Sequence, residues 1–212
     1  MSIGNIPQGS SAPDPYLEKR EDLNIIVEGN LCALTEMDER HLPQHVAFLN
    51  DPEVSQFLRT RPPITLAHQT TWLKKMQQDP SSKVFAVFAK EAGDTFKFVG
   101  VIDFHHMDPI TQETSSGTVI GEKTYWKKGI ATEARVLQLH YGFSKLGIEW
   151  ARSRTIAPNI ASQRLLEGIG YQLVETKPGA RIVDGVPQDE LIYKLTKADF
   201  YLKWGAQLSS LL

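Results

Sequence analysis

The residues with the clearest chemical potential lie in the segment GEKTYWKKGIATEA, which runs from Gly121 to Ala134. Gly129 follows two lysines there and precedes small and helix-forming residues, where an extended segment gives way to a predicted helix. The first N–H groups of a helix have no internal partner and carry partial positive charge, so such a turn binds anions. The segment therefore predicts a site for a phosphate-bearing molecule on the backbone N–H groups of residues 127 to 132.

Composition and charge exclude several classes of protein. The chain has 212 residues, a formal net charge of -2 and no block of like charges, so it lacks the basic footprint that holds DNA or RNA. No segment approaches the roughly 18 apolar residues of a membrane span, and MSIGNIPQGSSAPDPY lacks the apolar stretch of a signal peptide. Cys32 is the only cysteine, which fits a reducing compartment. We expect a cytoplasmic protein without nucleic-acid or membrane partners.

The chain reads as one domain with two flanking segments. Residues 1–23 are rich in Pro, Gly and Ser, which predicts either a mobile arm or a strap over a neighbouring molecule, as in a homodimer. The single domain is expected over residues 24–199, and residues 200–212 form a C-terminal extension.

The N-terminal half of the domain reads as strands around a group of helices. IIVEGNLCALTEM predicts one or two strands, and MDERHLPQHVAFLND, DPEVSQFLRT and TLAHQTTWLKKMQQD predict helices. KVFAVFAK and FKFVGVIDFHH predict adjacent antiparallel strands joined at EAGD. Period-two spacing would put Phe96, Phe98, Ile102 and Phe104 on one face of the second strand.

The C-terminal half continues with single strands and helices. TSSGTVIGEK predicts a strand, residues 129–146 a helix, EWARSRTIA a strand and PNIASQRLLEGIG a helix capped by Asn159. YQLVET and ELIYKL predict two final strands. Runs of antiparallel strands with helices between them favour an α+β architecture over a doubly wound sheet.

Three segments, in this order and spacing, resemble the GCN5-related N-acetyltransferase (GNAT) superfamily. YWKKGIATEA resembles its acetyl-CoA pyrophosphate loop, with Trp126, Gly129 and Ala131 at the motif positions and Lys127 where Gly is frequent. NIASQRLLEGIGYQLV is similar to the family's N-x-x-S helix, which ends in a glycine and an aromatic residue. LNDPEVSQFL resembles the substrate-side segment of the ribosomal-protein N-terminal acetyltransferase-like branch. The resemblance covers residues 24–199.

The resemblance implies the GNAT fold, with a central mixed, mostly antiparallel sheet of about seven strands and helices on both faces. The strand ending at Gly121 and the strand beginning near Trp150 would then be parallel neighbours that splay apart to hold the cofactor. It also implies an acyltransferase that moves the acetyl group of acetyl-CoA directly to a primary amine. The acceptor alternatives are a protein N-terminal amine or a small amine such as an aminoglycoside, polyamine or amino sugar. A non-catalytic acyl-CoA-binding module is the alternative from another class.

The resemblance assigns two catalytic candidates and a set of cofactor contacts. Ser162 would lie near the thioester sulfur and protonate the departing thiolate, although Leu166 stands where many relatives carry a tyrosine. Asn159 would bond the cofactor near its thiol, beyond its physical role as an N-cap. The residues assigned to acetyl-CoA are Ile120, Gly121, Trp126, Lys127, Lys128, Gly129, Ile130, Ala131, Thr132 and Asn159.

The general base is left open. Some relatives use a glutamate on the strand before the loop, but Ser115 and Ser116 hold the matching places here, and Glu113 lies just outside. His105 and His106 are alternatives. These adjacent histidines would point to opposite faces of a strand, so no metal site follows.

Two further expectations concern the surroundings of the loop. Cys32 belongs to the first predicted strand and is expected away from the loop, which leaves an acyl-cysteine intermediate without support. Trp72, Phe57 and Leu58 could wall a substrate pocket, although aromatic residues at helical spacing belong more often to the core.

Overall fold

The structure of the protein is a computed structural model that describes residues 16–211, with side chains described for residues 16–208. A nine-stranded sheet forms its centre. The strands are β1 (Leu17–Lys19), β2 (Ile25–Glu28), β3 (Cys32–Glu36), β4 (Lys83–Glu91), β5 (Thr95–Asp108), β6 (Glu113–Ile120), β7 (Trp150–Ile156), β8 (Gln172–Val183) and β9 (Val186–Thr196). The α-helices are α1 (Leu42–Asn50), α2 (Pro52–Ser55), α3 (Leu66–Gln78), α4 (Ile130–Lys145), α5 (Ile160–Ile169) and α6 (Lys197–Leu211).

The sheet is mixed and mostly antiparallel. Its strand order is β2-β3-β4-β5-β6-β7-β9-β8, with β1 paired to the free part of β5. Within the described chain, only β6 and β7 pair in parallel. The predicted α+β fold is therefore confirmed, with nine strands instead of about seven. No helix of the described residues is both long and apolar enough to span a membrane.

Helices cover the two faces of the sheet and create two cores. One core joins the sheet to α4 and α6, and it includes Phe104, Leu137 and Phe200. The other joins it to α1 and α3, and it includes Phe48 and Leu73. We call the face of the sheet that carries α1 and α3 the α1 face. The functional site uses the part of this face that lies beyond these two helices.

A β-bulge in β5 places its aromatic residues on two faces of the sheet and not on one. Val87 pairs with Gly100 while Phe88 pairs with Phe98, so Val99 is an extra residue that reverses the alternation. Phe96 and Phe98 consequently pack in the α1-face core, whereas Ile102 and Phe104 pack in the opposite core. The prediction that these four side chains share one face is wrong. A glycine is needed at Gly100 because a Cβ there would lie 2.2 Å from the Val119 carbonyl oxygen.

Part of the predicted N-terminal arm belongs to the fold. Residues 17–19 form β1, and the Arg20 guanidinium bonds Glu28 at 2.7 Å and Asp94 at 2.7 Å. The hydrogen bonds from Arg20, together with Lys90, lower the pKa of the Glu28 carboxyl to about 2. The rest of the arm, residues 1–15, lies outside the described residues.

The predicted C-terminal extension also packs on the core. Helix α6 begins at Lys197, and its Phe200 is fully buried with its ring 5.2 Å from that of Phe143. The indole N–H of Trp204 donates to the Ile169 carbonyl oxygen at 2.8 Å. The apolar residues at helical spacing in this segment bury one side of the helix.

We predict that Phe200→Ala lowers the free energy of unfolding by about 3–5 kcal/mol, because it removes a fully buried aromatic ring. The matched control is Leu202→Ala on the same helix, whose side chain is 88% exposed and whose loss should change stability by less than about 0.5 kcal/mol. Urea denaturation measures both. Equal stabilities for the two variants would show that α6 does not support the core.

Candidate functional site

The site centres on the place where β6 and β7 separate. Their parallel pairing consists of Glu113 with Trp150, Thr114 with Ala151 and Ser115 with Arg152. Beyond these pairs, β6 continues to residue 120 and β7 to residue 156 without pairing to each other. We call the space between these two unpaired segments the β6–β7 gap. The predicted parallel neighbours and their separation are confirmed.

The loop between β6 and α4 lies at the far end of the gap and has an unusual backbone. Lys127 and Gly129 adopt left-handed φ values of +61° and +86°, and Gly129 is the N-cap of α4. Left-handed geometry favours glycine and costs a lysine about 1–3 kcal/mol. The turn brings successive backbone N–H groups to the start of α4, where a helix has unpaired donors. This part of the chain can bind an anion.

The carboxylate of Glu133 fixes the first turn of α4. Its Oε1 accepts from the N–H of Leu31 at 2.6 Å and from the N–H of Cys32 at 2.9 Å. Glu133 is buried, and Gly29 lies so close that an added Cβ would be 2.5 Å from the carboxylate. The negative charge is thus turned inward toward β3, away from the exposed loop residue Gly129.

Side chains of the loop mainly tie it to its surroundings. The Trp126 indole N–H donates to the Ile120 carbonyl oxygen at 2.7 Å, and the N–H of Gly121 donates to Val99 at 2.9 Å. The Lys128 ammonium lies 5.2 Å from the centre of the Tyr125 ring. The backbone carbonyl of Ile120 and the backbone N–H of Gly121 therefore already have protein partners.

Helix α1 and the start of α2 cover the end of β6. A Cβ on Gly121 would lie 2.0 Å from the ring of Phe48, so this contact requires glycine. Lys123, just past the end of β6, contacts Asp51 at 2.7 Å and Glu53 at 2.8 Å. Hydrogen bonds to these carboxylates raise the pKa of Lys123.

Asn159 and Ser162 lie across the gap, just beyond β7. The N–H of Asn159 donates to the Ile156 carbonyl oxygen at 2.9 Å, and its Oδ1 accepts from the Ser162 N–H at 3.1 Å. Asn159 is therefore the N-cap of α5, as its side chain predicts. Ser162 is half-buried in the first turn, whereas Leu166 lies in the core.

A buried arginine lies beneath the point of separation. The guanidinium of Arg135 on α4 donates to the Ser116 hydroxyl and, at 2.6 Å, to the Thr118 hydroxyl, both on β6. Ser153 on β7 donates from its hydroxyl to the Ser116 carbonyl oxygen at 3.0 Å. Burial lowers the pKa of Arg135. These side chains provide polar contacts where strand pairing ends.

Asp103 and His105 of β5 face the gap from the α1 face. Asp103 Oδ1 accepts from the Gly117 N–H at 2.8 Å and lies 3.3 Å from His105 Nδ1. In register, His105 is opposite Ser115, where the pairing with β7 ends. The imidazole is one-third exposed and has a carboxylate partner that can orient it.

The other base candidates are engaged elsewhere. The Glu113 carboxylate lies 3.1 Å from Arg152 Nε, and the Ser116 hydroxyl accepts from Arg135. His106 is exposed and has a left-handed φ of +56° at the irregular end of β5. Among the candidates named from the sequence, His105 alone combines exposure at the gap with an orienting carboxylate.

Cys32 lies nearer to the loop than expected. Its backbone N–H bonds Glu133 in the first turn of α4, so the expectation that it lies away from the loop is wrong. The thiol is fully buried, and burial followed by the charge of Glu133 raises its pKa. A protonated, buried thiol is a poor nucleophile.

The aromatic residues of the early helices divide into two groups. Trp72 packs against the α1-face core and stacks on His45 at 5.9 Å, as the core interpretation predicts. Burial lowers the pKa of His45 to about 4. Phe57 and Leu58 are half-buried in the turn after α2, and their role at a pocket stays a prediction.

Sequence reasoning missed Glu133, Arg135 and Asp103. Charged residues amid the apolar stripes of α4 were a signal for the first two, since a buried charge needs dedicated partners. Asp103 gave a weaker signal, because one acidic residue in a strand is ordinary. Its contact with Gly117 depends on strand register.

Comparison with known proteins identifies the family. Residues 32–172, more than half of the chain, match the family described as the acetyltransferase (GNAT) domain. The chain belongs to the GNAT acetyltransferase family. Members of this family are N-acetyltransferases, which are acyltransferases, and they use acetyl-CoA.

A curated relative agrees with the GNAT assignment. The chain is 30% identical over 107 residues to YoaA of Bacillus subtilis strain 168, an uncharacterized N-acetyltransferase. This match covers 50% of the present chain and 60% of YoaA, so it spans less than two-thirds of that relative.

Two solved structures share the GNAT fold of this chain. The spermidine N-acetyltransferase of Vibrio cholerae, in complex with CoA and spermine, has a TM-score of 0.73 at 15% identity, covering 80% of this chain and 97% of that one. The ribosomal L7/L12 α-N-protein acetyltransferase RimL, in complex with CoA, has a TM-score of 0.71 at 18% identity, covering 82% and 98%. At these identities the likeness concerns the fold.

Proposed function

We propose that this protein transfers the acetyl group of acetyl-CoA directly to a primary amine, with a protein N-terminal amine as the acceptor. The observation that carries the proposal is the left-handed turn at Lys127 and Gly129, which opens α4 at the end of the β6–β7 gap. The turn supplies backbone donors for phosphates, and the unpaired β6 edge supplies backbone groups for an extended arm. Both features suit a molecule with a pyrophosphate and a chain of amides.

The proposed donor site extends along one side of the gap. The N–H groups of residues 127–132 hold the pyrophosphate, and the lysine side chains of the loop add positive charge. The remaining N–H of Ile120 and carbonyl of Gly121 pair with the pantetheine amides. Asn159 and Ser162, across the gap, border the thiol end. In this proposal the assigned residues border one path along the gap.

Three groups of this chain then carry the transfer. When bound, acetyl-CoA supplies an activated thioester. His105, oriented by Asp103, accepts the proton of the attacking amine. Backbone N–H groups of β6 stabilise the negative charge on the carbonyl oxygen, and Ser162 donates a proton to the departing thiolate. The rest of the rate enhancement comes from orientation of the amine at the gap.

The part of the α1 face that carries the exposed Arg154 supports a peptide acceptor, whereas Ile156 and Ile192 on the same strands are buried. Helices α1 and α3 pack over β3 to β5, and the described residues place no helix over the α1 face of β7 and β9. The rival acceptor is a small amine such as a polyamine, which would favour available carboxylates at the gap. Glu113 and Glu190 are instead bound to arginines, which disfavours a polyamine. A non-catalytic acyl-CoA-binding module would bind the donor without releasing thiol in the presence of any amine.

The donor site predicts that Gly129→Glu lowers acetyl-CoA affinity at least about tenfold, because it adds a negative charge beside the pyrophosphate. Gly147→Glu is the control, since Gly147 has a similar φ of +70°, open space around it and a position past the other end of α4. Isothermal titration calorimetry measures both affinities. Unchanged binding by a folded Gly129→Glu protein would refute the donor site.

For the proposed general acid, Ser162→Ala should lower kcat by about a hundredfold with little change in acetyl-CoA affinity. The hydroxyl would act only as the bond to sulfur breaks, so binding is not expected to depend on it. We expect the lower end of the usual range because a thiolate leaves readily. Wild-type kcat, measured where chemistry limits turnover, would leave Ser162 a helix-surface residue.

The proposed base predicts that His105→Gln lowers kcat/KM for the amine by about 10²–10⁴-fold and leaves acetyl-CoA affinity unchanged. His106→Gln is the matched control, because this neighbour is exposed and lacks the contact with Asp103. Thiol release at amine concentrations below saturation, with saturating acetyl-CoA, measures kcat/KM. Equal activities of the two variants would exclude His105 as the base.

A further inference from the structure

The segment after α2 crosses the β6–β7 gap. At one end, Phe48 packs on Gly121 of β6, and Asp51 and Glu53 bind Lys123. At the other end, Arg59 donates to Glu190 Oε1 on β9 at 2.5 Å. The backbone between these contacts therefore passes over the gap on the α1 face, and the Arg59 side chain borders the gap there.

Glu190 of β9 lies beside the C-terminal end of β7. It pairs in register with Ile156, and the neighbouring Ala157 N–H donates to the Asp189 carbonyl oxygen at 3.0 Å. Asn159 lies two residues after Ala157 in the chain. The Glu190 side chain is 7% exposed, so its carboxylate is held inside the protein and needs positive partners.

Three arginines, Arg59, Arg61 and Arg181, form what we call the arginine cluster. Arg181 Nη1 lies 3.7 Å from Glu190 Oε1, so this carboxylate faces two guanidiniums. Arg61 contacts only the exposed Asp184, at 3.9 Å, among the described carboxylates. Burial lowers the pKa of Arg181, and the positive charge of Arg59 lowers it further. The cluster holds more positive charge than its carboxylates neutralise.

Arg154 adds another positive charge on the same face. It lies two residues before Ile156 on β7, so its side chain points to the same side of the sheet as Glu190. Arg154 is exposed, and none of the carboxylates that the structure describes forms an ion pair with it. Strand alternation and register also put His105 and Ser115 on this face.

We propose that the acceptor amine carries a carboxylate or phosphate group, which Arg154 and the arginine cluster bind while the amine reaches the gap. This inference rests on the proposed function and names its class of acceptor. Guanidinium groups suit these anions because their planar donors can form paired, charge-assisted hydrogen bonds. A bound anion would relieve the repulsion between neighbouring guanidiniums, which a polyamine would increase.

The test compares two N-terminal peptides of equal length, one beginning Ser-Glu-Glu and the other Ser-Gln-Gln, in the full-length protein with saturating acetyl-CoA. We expect kcat/KM to be at least about tenfold higher for the acidic peptide, since its carboxylates can form charge-assisted hydrogen bonds with the arginines. The acidic-to-neutral ratio should fall toward one in Arg181→Gln and in Arg154→Gln. Lys145→Gln, which removes an exposed charge at the C-terminal end of α4, should keep the wild-type ratio.

Further arms identify the source of the anion. Free aspartate and O-phosphoserine test small anionic amines, and spermidine tests the opposite charge. Acetylation of the acidic peptide alone would indicate a peptide acceptor, and comparable acetylation of the free amino acids a small one. Preference for spermidine or for the neutral peptide, or an unchanged ratio in both arginine variants, would overturn the inference.

Peptide binding separates this inference from the proposed function. Calorimetry with each peptide in the presence of CoA requires no turnover. If no amine is acetylated, the proposed function fails, but tighter binding of the acidic peptide would still support the anion site. Equal binding of the two peptides would overturn it. Because Arg154 is exposed, Arg154→Gln keeps the test valid even if Arg181→Gln fails to fold.

Discussion

The early separation of β6 from β7 is the constraint on which the rest of the site depends. Two neighbouring strands normally satisfy each other's backbone groups, and abandoning that pairing after three residue pairs requires other contacts. The Ser153 hydroxyl supplies one of them by donating to the Ser116 carbonyl oxygen. Arg135, on the α4 side of the sheet, holds the Ser116 and Thr118 side chains through their hydroxyls. A buried guanidinium is costly unless its hydrogen bonds are made. The polar contacts that keep the gap open therefore also keep that charge in place.

Two positively charged regions approach this gap from different sides of the sheet. The first is the start of α4, where Glu133 turns its carboxylate toward β3 and away from the left-handed turn. The second is the arginine cluster on the α1 face, held by Glu190. The whole chain has a formal net charge of -2, so these regions reflect local arrangement and not overall composition. In the proposed reaction, a donor and an acceptor that both carry negative charge meet at the gap from opposite faces.

The groups in the catalytic proposal also approach the gap from different sides. His105 reaches the gap from the α1 face beside Asp103, whereas Asn159 and Ser162 border its other edge at the start of α5. Leu166 lies in the core, so an apolar contact stands where the family resemblance leads us to expect a tyrosine. Orientation and backbone hydrogen bonds then carry most of the proposed catalysis, which needs few ionisable groups.

Local sequence determined the elements and the loop before α4, because caps, glycines and periodicity act over a few residues. The helix start at Gly129, the cap at Asn159 and the strand before each were predictable for this reason. Tertiary structure alone decided contacts that depend on register or on distant segments. One extra residue, Val99, moved the aromatic side chains of β5 to two faces, and α6 became part of the core through Phe200. The contacts of Asp103 with Gly117 and of Arg59 with Glu190 join residues far apart in the chain, so no local pattern could encode them.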